Sequence, residues 1–291
     1  VKPSKQGNLY VLDRATGEPV WPIEERPVPQ SDVPGELTSA TQPFPTKPPP
    51  YDRQGLGVDD LIDFTPELRR RAEEAISPYR IGPLYTPPSV ASDEGTLGTL
   101  HIPALTGGSN WPGGSFDPET GIFYVVSHTL PGVAGVAPRG NAEGTMEYIR
   151  VAPSPLEGPN GLPFLKPPYG RITAIDLNTG EHLWWIPNGE TPDRIANHEL
   201  LEGVDVPNTG YLGNATALVT ASLLMYAEGR GGRPVFYAHD KQTGERIGQI
   251  DMPAPASVAP MTYLHEGVQH IIVPISGQGM ASSFVALRLP Q

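Results

Sequence analysis

Several residues in this sequence belong to types that can perform metal or acid–base chemistry, but their spacing does not favour it. His265 and His270 are five positions apart, and no helical pattern places both on one face, as a zinc site of this kind requires. Ser127-His128 lacks the spacing of a catalytic triad. The carboxylate pair Asp59-Asp60 has a loop context. None of these groups is therefore predicted to be catalytic.

A glycine-rich segment, Gly229-Arg230-Gly231-Gly232-Arg233, has the composition of a phosphate-binding loop. It lacks the Lys-Ser/Thr pair and the following helix of a P-loop. We therefore interpret this segment as a hairpin loop between strands of a β-sheet.

A short turn motif, Asp-x-x-Thr-Gly, occurs four times, each time beside runs in which apolar and polar residues alternate. Such runs are typical of half-buried strands. The Asp side chain can accept hydrogen bonds from backbone amides of the turn, and the Gly supplies a positive φ. The four copies are Asp13–Gly17, Asp117–Gly121, Asp176–Gly180 and Asp240–Gly244.

This repetition predicts an all-β fold in which each unit is one sheet, that is, a β-propeller. Four or five units could barely close a ring alone, so we expect about four to five blades of a larger propeller. A Pro-rich and helical insertion is expected at about residues 22–95. In it, residues 27–50 are predicted to be irregular. A helix is predicted to follow, with Thr65 as its N-cap and Pro66 as its first residue. The apolar stripe of this helix consists of Leu68, Ala72, Ala75 and Ile76.

The composition narrows the functional classes. The formal net charge is −12, and no Lys/Arg stripe offsets it, which argues against a nucleic-acid partner. The absence of Cys excludes disulfides and thiolate chemistry. No apolar run approaches the ~20 residues of a membrane span. The chain begins at Val1 close to a strand-like run, from which we expect a cut or processed start.

Three blocks of sequence resemble the bacterial quinoprotein glucose dehydrogenases. They run in the family's order along nearly the whole chain, and they are more specific than the turns. The blocks are Lys5–Pro19 continued by Glu25–Gln30 and Thr41–Pro43, then Thr106–Gly121, and Ala259–Val273 with the Gly-rich turn that follows it.

The resemblance implies an eight-bladed propeller with pyrroloquinoline quinone (PQQ) on its axis. Lys5 matches the family's cationic residue at the quinone carbonyls and would be the catalytic group that polarises them. Without the resemblance, Lys5 is an exposed surface lysine. Asn110 matches an amide that donates to a quinone oxygen. Trp111 is either a second cofactor contact or an aromatic residue of a blade core, while Gly107 and Gly108 would let backbone approach a ligand.

The turn containing Gly277 and Gln278 matches a cofactor-proximal segment of the family. Gln278 stands where the family often has His, which leaves an acid or electrostatic role there in doubt. The family's catalytic aspartate and its calcium ligands match positions upstream of Lys5, so this chain is expected to supply neither and to be inactive alone.

The resemblance implies oxidation of a sugar (aldose) or alcohol, with electrons passed to ubiquinone or a cytochrome. It also implies a periplasmic location, associated with the inner membrane, and a partner that supplies the missing N-terminal blades. The alternative is a non-enzymatic propeller that serves as a protein-binding scaffold in the cell envelope. Trp184 or Trp185, which closes one repeat, is predicted to pack between blades.

Overall fold

The computed structural model describes residues 1–141, 143–151, 156, 158–277 and 279–289. Its strands before the third Asp-x-x-Thr-Gly turn are β1 (Lys2–Pro3), β2 (Leu9–Tyr10), β3 (Ile23–Pro27), β4 (Thr41–Pro45), β5 (Ser89–Val90), β6 (Thr99–His101), β7 (Gly114–Asp117), β8 (Ile122–His128), β9 (Gly132–Pro138), β10 (Tyr148–Val151) and β11 (Gly170–Asp176). Those after it are β12 (Glu181–Pro187), β13 (Ala215–Val219), β14 (Leu223–Glu228), β15 (Val235–Asp240), β16 (Arg246–Asp251), β17 (Met261–His265), β18 (Val268–Gly277) and β19 (Met280–Arg288). The α-helices are α1 (Pro66–Ile76) and α2 (Asp193–Ala196).

Four antiparallel sheets follow one another along the chain. They are the pair β1-β2, the sheet β7-β8-β11-β12, the sheet β13-β14-β15-β16 and the three-stranded sheet β17-β18-β19. The strands of the third of these sheets are consecutive in the chain, and those of the second follow chain order with β9 and β10 inserted between β8 and β11, as in propeller blades with an insertion. The strands β5, β6, β9 and β10 form a further four-stranded sheet, in which β5 runs parallel to β9. The prediction of an all-β, partial propeller is confirmed.

Each sheet packs face to face on the next through side chains of its middle strands. Tyr124 and Ile172 of the second sheet meet Tyr226 and Tyr237 of the third. Trp184 lies in the same interface, with its ring 5.8 Å from that of Tyr124. The predicted packing of a Trp between blades is therefore confirmed for Trp184, whereas Trp185 is half exposed.

The remaining sheet interfaces repeat this arrangement. Leu9 in β2 contacts Phe123 and Ile175 of the second sheet. Phe236 in the third sheet packs with Val273 of the fourth. The sheets are thus stacked side by side in chain order, like consecutive sectors of a propeller.

All four predicted Asp-x-x-Thr-Gly turns are present. The amide of the Gly donates to the Asp carbonyl at 2.8 Å for Gly17 and Gly180 and at 2.9 Å for Gly121 and Gly244. The four glycines have φ values between 73° and 79°, a region that other residues adopt at a cost. In the first turn, the Asp13 carboxylate also accepts from the amides of Ala15 and Thr16.

The strand order places these turns at one end of the sheets, which we call the turn end. β2, β11 and β15 each run into such a turn, so their first residues lie at the opposite end, which we call the site end. The site end holds the turn at residues 4–8, the His128–Gly170 pair and the loop at residues 229–234. Gly277 belongs there too, because Ala256 bridges Ile275 and donates its amide to Glu228 O at 3.2 Å.

The region at about residues 22–95 contains the predicted helix. α1 starts at Pro66, the Thr65 hydroxyl accepts from Leu68 N at 3.2 Å, and Leu68, Ala72 and Ile76 are buried. The Arg residues of α1 pair with Glu side chains of the same helix, which is the ordinary role of an exposed helix face.

The prediction that residues 27–50 are irregular was wrong in part. Thr41–Pro45 forms β4, which pairs with β3 in an antiparallel hairpin. Prolines fit there because the two strands form a separate two-stranded sheet, in which each strand has a free edge and half of its amides need no partner strand. The domain boundary of this insertion stays a prediction.

Candidate functional site

Lys5 lies in the tight turn between β1 and β2 at the site end. The turn is closed by Ser4 N donating to Asn8 O at 2.9 Å, and Gly7 adopts a φ of 83°. The Lys5 ammonium donates to Leu105 O at 3.2 Å, and its own carbonyl accepts from Gly108 N at 2.9 Å. The turn is thus bonded on both sides to the segment at residues 105–108.

Gly107 makes this contact sterically feasible. A Cβ at position 107 would lie 2.5 Å from Cγ of Lys5, and the φ of Gly107 is 87°. Only glycine meets both conditions without strain. The apolar stem of Lys5 therefore lies flat over the backbone of Gly107.

Asn110 follows on the same loop. Its side-chain amide donates to Thr106 O at 2.7 Å, and its Oδ1 accepts from Trp111 N at 2.9 Å. Lys5 and Asn110 therefore donate to consecutive carbonyl groups, those of Leu105 and Thr106. The structure thus bonds these two predicted residues to neighbouring positions of one loop, where each lines a different cavity.

Two cavities flank this loop. One of about 240 Å³ is lined by Lys5, Tyr85 and Leu105 among others. The other, of about 280 Å³, is lined by Asn110 and by His128, a residue to which the sequence pattern assigns no role. Burial lowers the pKa of His128 below its ordinary value, against an opposing effect of the Asp52 carboxylate, so the imidazole is neutral at pH 7.

The other predicted site residues are Trp111, Gly277 and Gln278. Trp111 is 97% exposed and therefore belongs to no blade core, so that alternative was wrong. Gly277 ends β18 at the site end, is exposed and has a φ of 112°. Gln278 lies outside the described residues.

Sequence reasoning missed Asp52, a buried residue under the Lys5 turn. Its Oδ1 accepts from Thr129 Oγ1 at 2.7 Å and from Arg171 Nη2 at 3.3 Å. Its Oδ2 has no hydrogen-bond partner in the described part of the chain and lies 3.7 Å from the position of a Cβ on Gly108. No motif marks Asp52 in the sequence, because its side-chain partners Thr129 and Arg171 lie far away along the chain.

Within the described residues, no group of three or more His, Cys, Asp or Glu side chains could hold a metal ion. His265 and His270 lie near each other, with ring centres 6.4 Å apart, but the Tyr263 ring stacks on His270. None of the helices in the described ranges is both long and apolar enough to span a bilayer.

Comparisons with known proteins identify the family of this chain. A family model described as "PQQ: Glucose/ethanol/alcohol dehydrogenase, beta-propeller domain" matches residues 1–271. The quinoprotein glucose dehydrogenase of Escherichia coli (strain K12) is 30% identical over 99% of this chain and 38% of that protein. The glycerol dehydrogenase large subunit of Gluconobacter thailandicus is 30% identical over 95% of the chain and 40% of its own length.

A third relative is named for quinate and shikimate. The quinate/shikimate dehydrogenase (quinone) of Acinetobacter baylyi is 27% identical over 94% of this chain and 35% of that protein. The chain thus spans 35% to 40% of the length of these three relatives. It belongs to the β-propeller domain family of the PQQ-dependent glucose, ethanol and alcohol dehydrogenases.

Proposed function

We propose that this chain forms the C-terminal sectors of a PQQ-dependent dehydrogenase that oxidises a sugar or an alcohol. The observation that carries the proposal is the placement of the Lys5 ammonium and the Asn110 amide on consecutive carbonyls at the site end. Both groups are hydrogen-bond donors, and a quinone presents carbonyl acceptors. When bound, PQQ supplies an electrophilic carbonyl that accepts a hydride from the substrate carbon.

The donors present fit a flat quinone ring. An ammonium has three hydrogens, and the Lys5 contact with Leu105 O uses one of them. The Asn110 amide has two, and Thr106 O takes one. The absence of a side chain at Gly107 makes room for the methylene groups of Lys5, which keeps its ammonium on the loop that carries Asn110.

Lys5 is proposed as the catalytic residue of this chain. Its positive charge would stabilise the oxyanion that develops at the quinone carbonyl, an effect typically worth a few kcal/mol in the transition state. Asn110 would hold the same ring in orientation. Trp111 would cover one ring face, and Gly277 and Gln278 would complete the rim of the site.

Further parts of the proposal lie outside these residues. The catalytic base and the ligands of a calcium ion would come from the N-terminal blades, which another stretch of polypeptide must supply. The electron acceptor would be ubiquinone or a cytochrome. The protein would work in the periplasm, at the inner membrane.

The test is substitution of Lys5. We expect Lys5→Ala to lower the turnover of the completed enzyme by about a hundredfold or more, because the carbonyl loses its cationic donor. Lys2→Ala is the matched control, since Lys2 is an exposed lysine in β1 three positions earlier. Turnover is measured with an artificial electron acceptor, and PQQ affinity is measured separately by titration calorimetry.

The two measurements also test the scaffold alternative. A scaffold would show neither PQQ binding nor any difference between the Lys5 and Lys2 variants. Turnover that is unchanged in Lys5→Ala would contradict the cofactor assignment.

A further inference from the structure

The cavity beside Asn110 has an unbalanced charge. Its lining includes Asn110, His128, Asn214 and Arg230, and none of the described residues that line it is an acid. With His128 neutral at pH 7, Arg230 supplies the permanent positive charge of the lining.

The structure fixes Arg230 at its backbone and leaves its side chain available. The residue lies in the turn between β14 and β15, and its carbonyl accepts from Tyr211 OH at 2.6 Å. The side chain is exposed, and within the described ranges its guanidinium has no hydrogen-bond or salt-bridge partner.

The carboxylate nearest to Arg230 along the chain, that of Glu228, already accepts hydrogen bonds from other groups. Glu228 is buried, and it accepts from Tyr237 OH at 3.0 Å, from Arg233 N at 2.7 Å and from Glu190 N at 3.3 Å. Burial raises the pKa of Glu228, against opposing effects of the Arg233 and Glu190 amides and of the Tyr237 hydroxyl. Glu228 therefore does not neutralise Arg230.

We propose that Arg230 binds a carboxylate of the molecule held at Asn110. The guanidinium presents a planar fork of N–H donors that matches the two oxygens of a carboxylate. The amides of Asn110 and Asn214 on the same cavity add neutral donors. This inference rests on the proposed function. It adds the requirement that the bound molecule carries a carboxylate, which neither Lys5 nor the fold imposes.

Two molecules in the proposed reaction can provide that group. PQQ is itself a tricarboxylated ring, and the substrate can be an alcohol that also carries an acid. The chemistry recognised by Arg230 is the same in both cases, and the two sources predict different measurements.

The first measurement is binding. Calorimetric titration of PQQ and of pyridine-2,4-dicarboxylate, a flat acid without a quinone, uses the 291-residue chain and the completed enzyme. Arg230→Met is expected to weaken binding by about tenfold or more, as expected for loss of a charge-assisted hydrogen bond, and Arg230→Lys by less. Arg14→Met is the matched control, because Arg14 is exposed in the first Asp-x-x-Thr-Gly turn, at the turn end.

The second measurement is specificity. The completed enzyme is assayed with quinate, a hydroxy acid, and with glycerol, a neutral polyol. If the carboxylate belongs to the substrate, Arg230→Met lowers kcat/KM for quinate about tenfold or more and leaves glycerol unchanged. If it belongs to PQQ, the variant raises the Kd of PQQ and affects both substrates when the cofactor is limiting.

Either pattern supports the proposal and identifies the source of the carboxylate. The proposal is overturned if Arg230→Met and Arg14→Met behave alike in every titration and with both substrates. Failure of the wild-type protein to bind PQQ would count against the proposed function instead, and the dicarboxylate titration would still test Arg230.

Discussion

Two buried aspartates at opposite ends of the second sheet differ in how well they are paired. Asp117, at the turn end, accepts from Lys241 Nζ at 2.6 Å, from Thr120 Oγ1 at 2.6 Å and from Glu119 N at 3.1 Å. Asp52, at the site end, has partners on Oδ1, but Oδ2 has none among the described residues. Both carboxylate oxygens of Asp117 are therefore bonded, whereas one oxygen of Asp52 is left without a described partner.

Other groups at the site end follow the same pattern. The side chains of Arg171, Ser127 and Asn8 each keep a buried polar atom without a partner in the described ranges. Buried polar groups are normally hydrogen-bonded, so each exception calls for a partner such as a water, an ion or a bound molecule. The turn end has such an atom too, His239 Nε2, so the two ends differ in how many buried polar atoms lack a described partner.

The largest expected effect is at the turn end. Lys241 and Asp117 are both about 4% exposed and join the third sheet to the second. Lys241→Met leaves the Asp117 carboxylate buried without its cation, so we expect the free energy of unfolding to fall by about 3 kcal/mol. Urea unfolding followed by circular dichroism measures this change.

Lys47→Met is the control, because the Lys47–Glu181 pair is exposed and should stabilise the fold by about 1 kcal/mol or less.

A pH series is a second check on the Asp117–Lys241 pair. Burial acts to raise the pKa of Asp117, but the hydrogen bonds from Lys241 and Thr120 outweigh it and lower the pKa. The stability from this pair is thus present above the ordinary pKa of Asp and is lost as pH falls through the lowered pKa. Equal losses in the two Met variants would contradict this assignment.

A smaller effect is expected at the site end. Asp52→Asn keeps the shape of the side chain and an acceptor for Thr129 but removes the charge that faces Arg171. We expect a loss of about 1–2 kcal/mol, measured by the same urea titration, because Oδ2 had no bond to lose. Asp59→Asn, at an exposed position nearby, should change stability little. A loss as large as that of Lys241→Met would remove the distinction between the two ends.

The smallest expected effect isolates backbone strain at a turn. Gly17 has a φ of 79°, and no atom lies within 4 Å of the position that a Cβ would take there, so Gly17→Ala should cost about 1 kcal/mol from its backbone alone. The same change at Gly121 would also place a Cβ 2.6 Å from the Asn178 amide and should cost more. Melting temperatures of both variants test this order, and a reversed order would show that packing does not separate the turns.

The sequence predicted the turn end well and the site end only in part. Each Asp-x-x-Thr-Gly turn is local, so five consecutive residues specify its hydrogen bonds. α1 was predictable for the same reason, through the Thr65 cap. The pairing of β3 with β4 was missed because proline content argues against strands unless each strand keeps a free edge.

At the site end, the resemblance predicted Lys5 and Asn110 as cofactor contacts, and this stays a prediction; the structure shows that both donate to consecutive carbonyls. The resemblance did not identify Asp52, His128 or Arg230. Their roles depend on cavities and contacts between segments that lie far apart in the chain, such as Asp52 with Arg171. Such contacts cannot be predicted from residue types and their spacing in the sequence.

The close contact between Lys5 and Gly107 limits how this site can change. The methylene groups of Lys5 occupy the volume that any side chain at position 107 would need. Substitutions at these two positions, about a hundred residues apart in the sequence, cannot be accepted independently. A mutational library aimed at new substrates should vary the two codons together, because a search that changes position 107 alone would displace the amine it is meant to preserve.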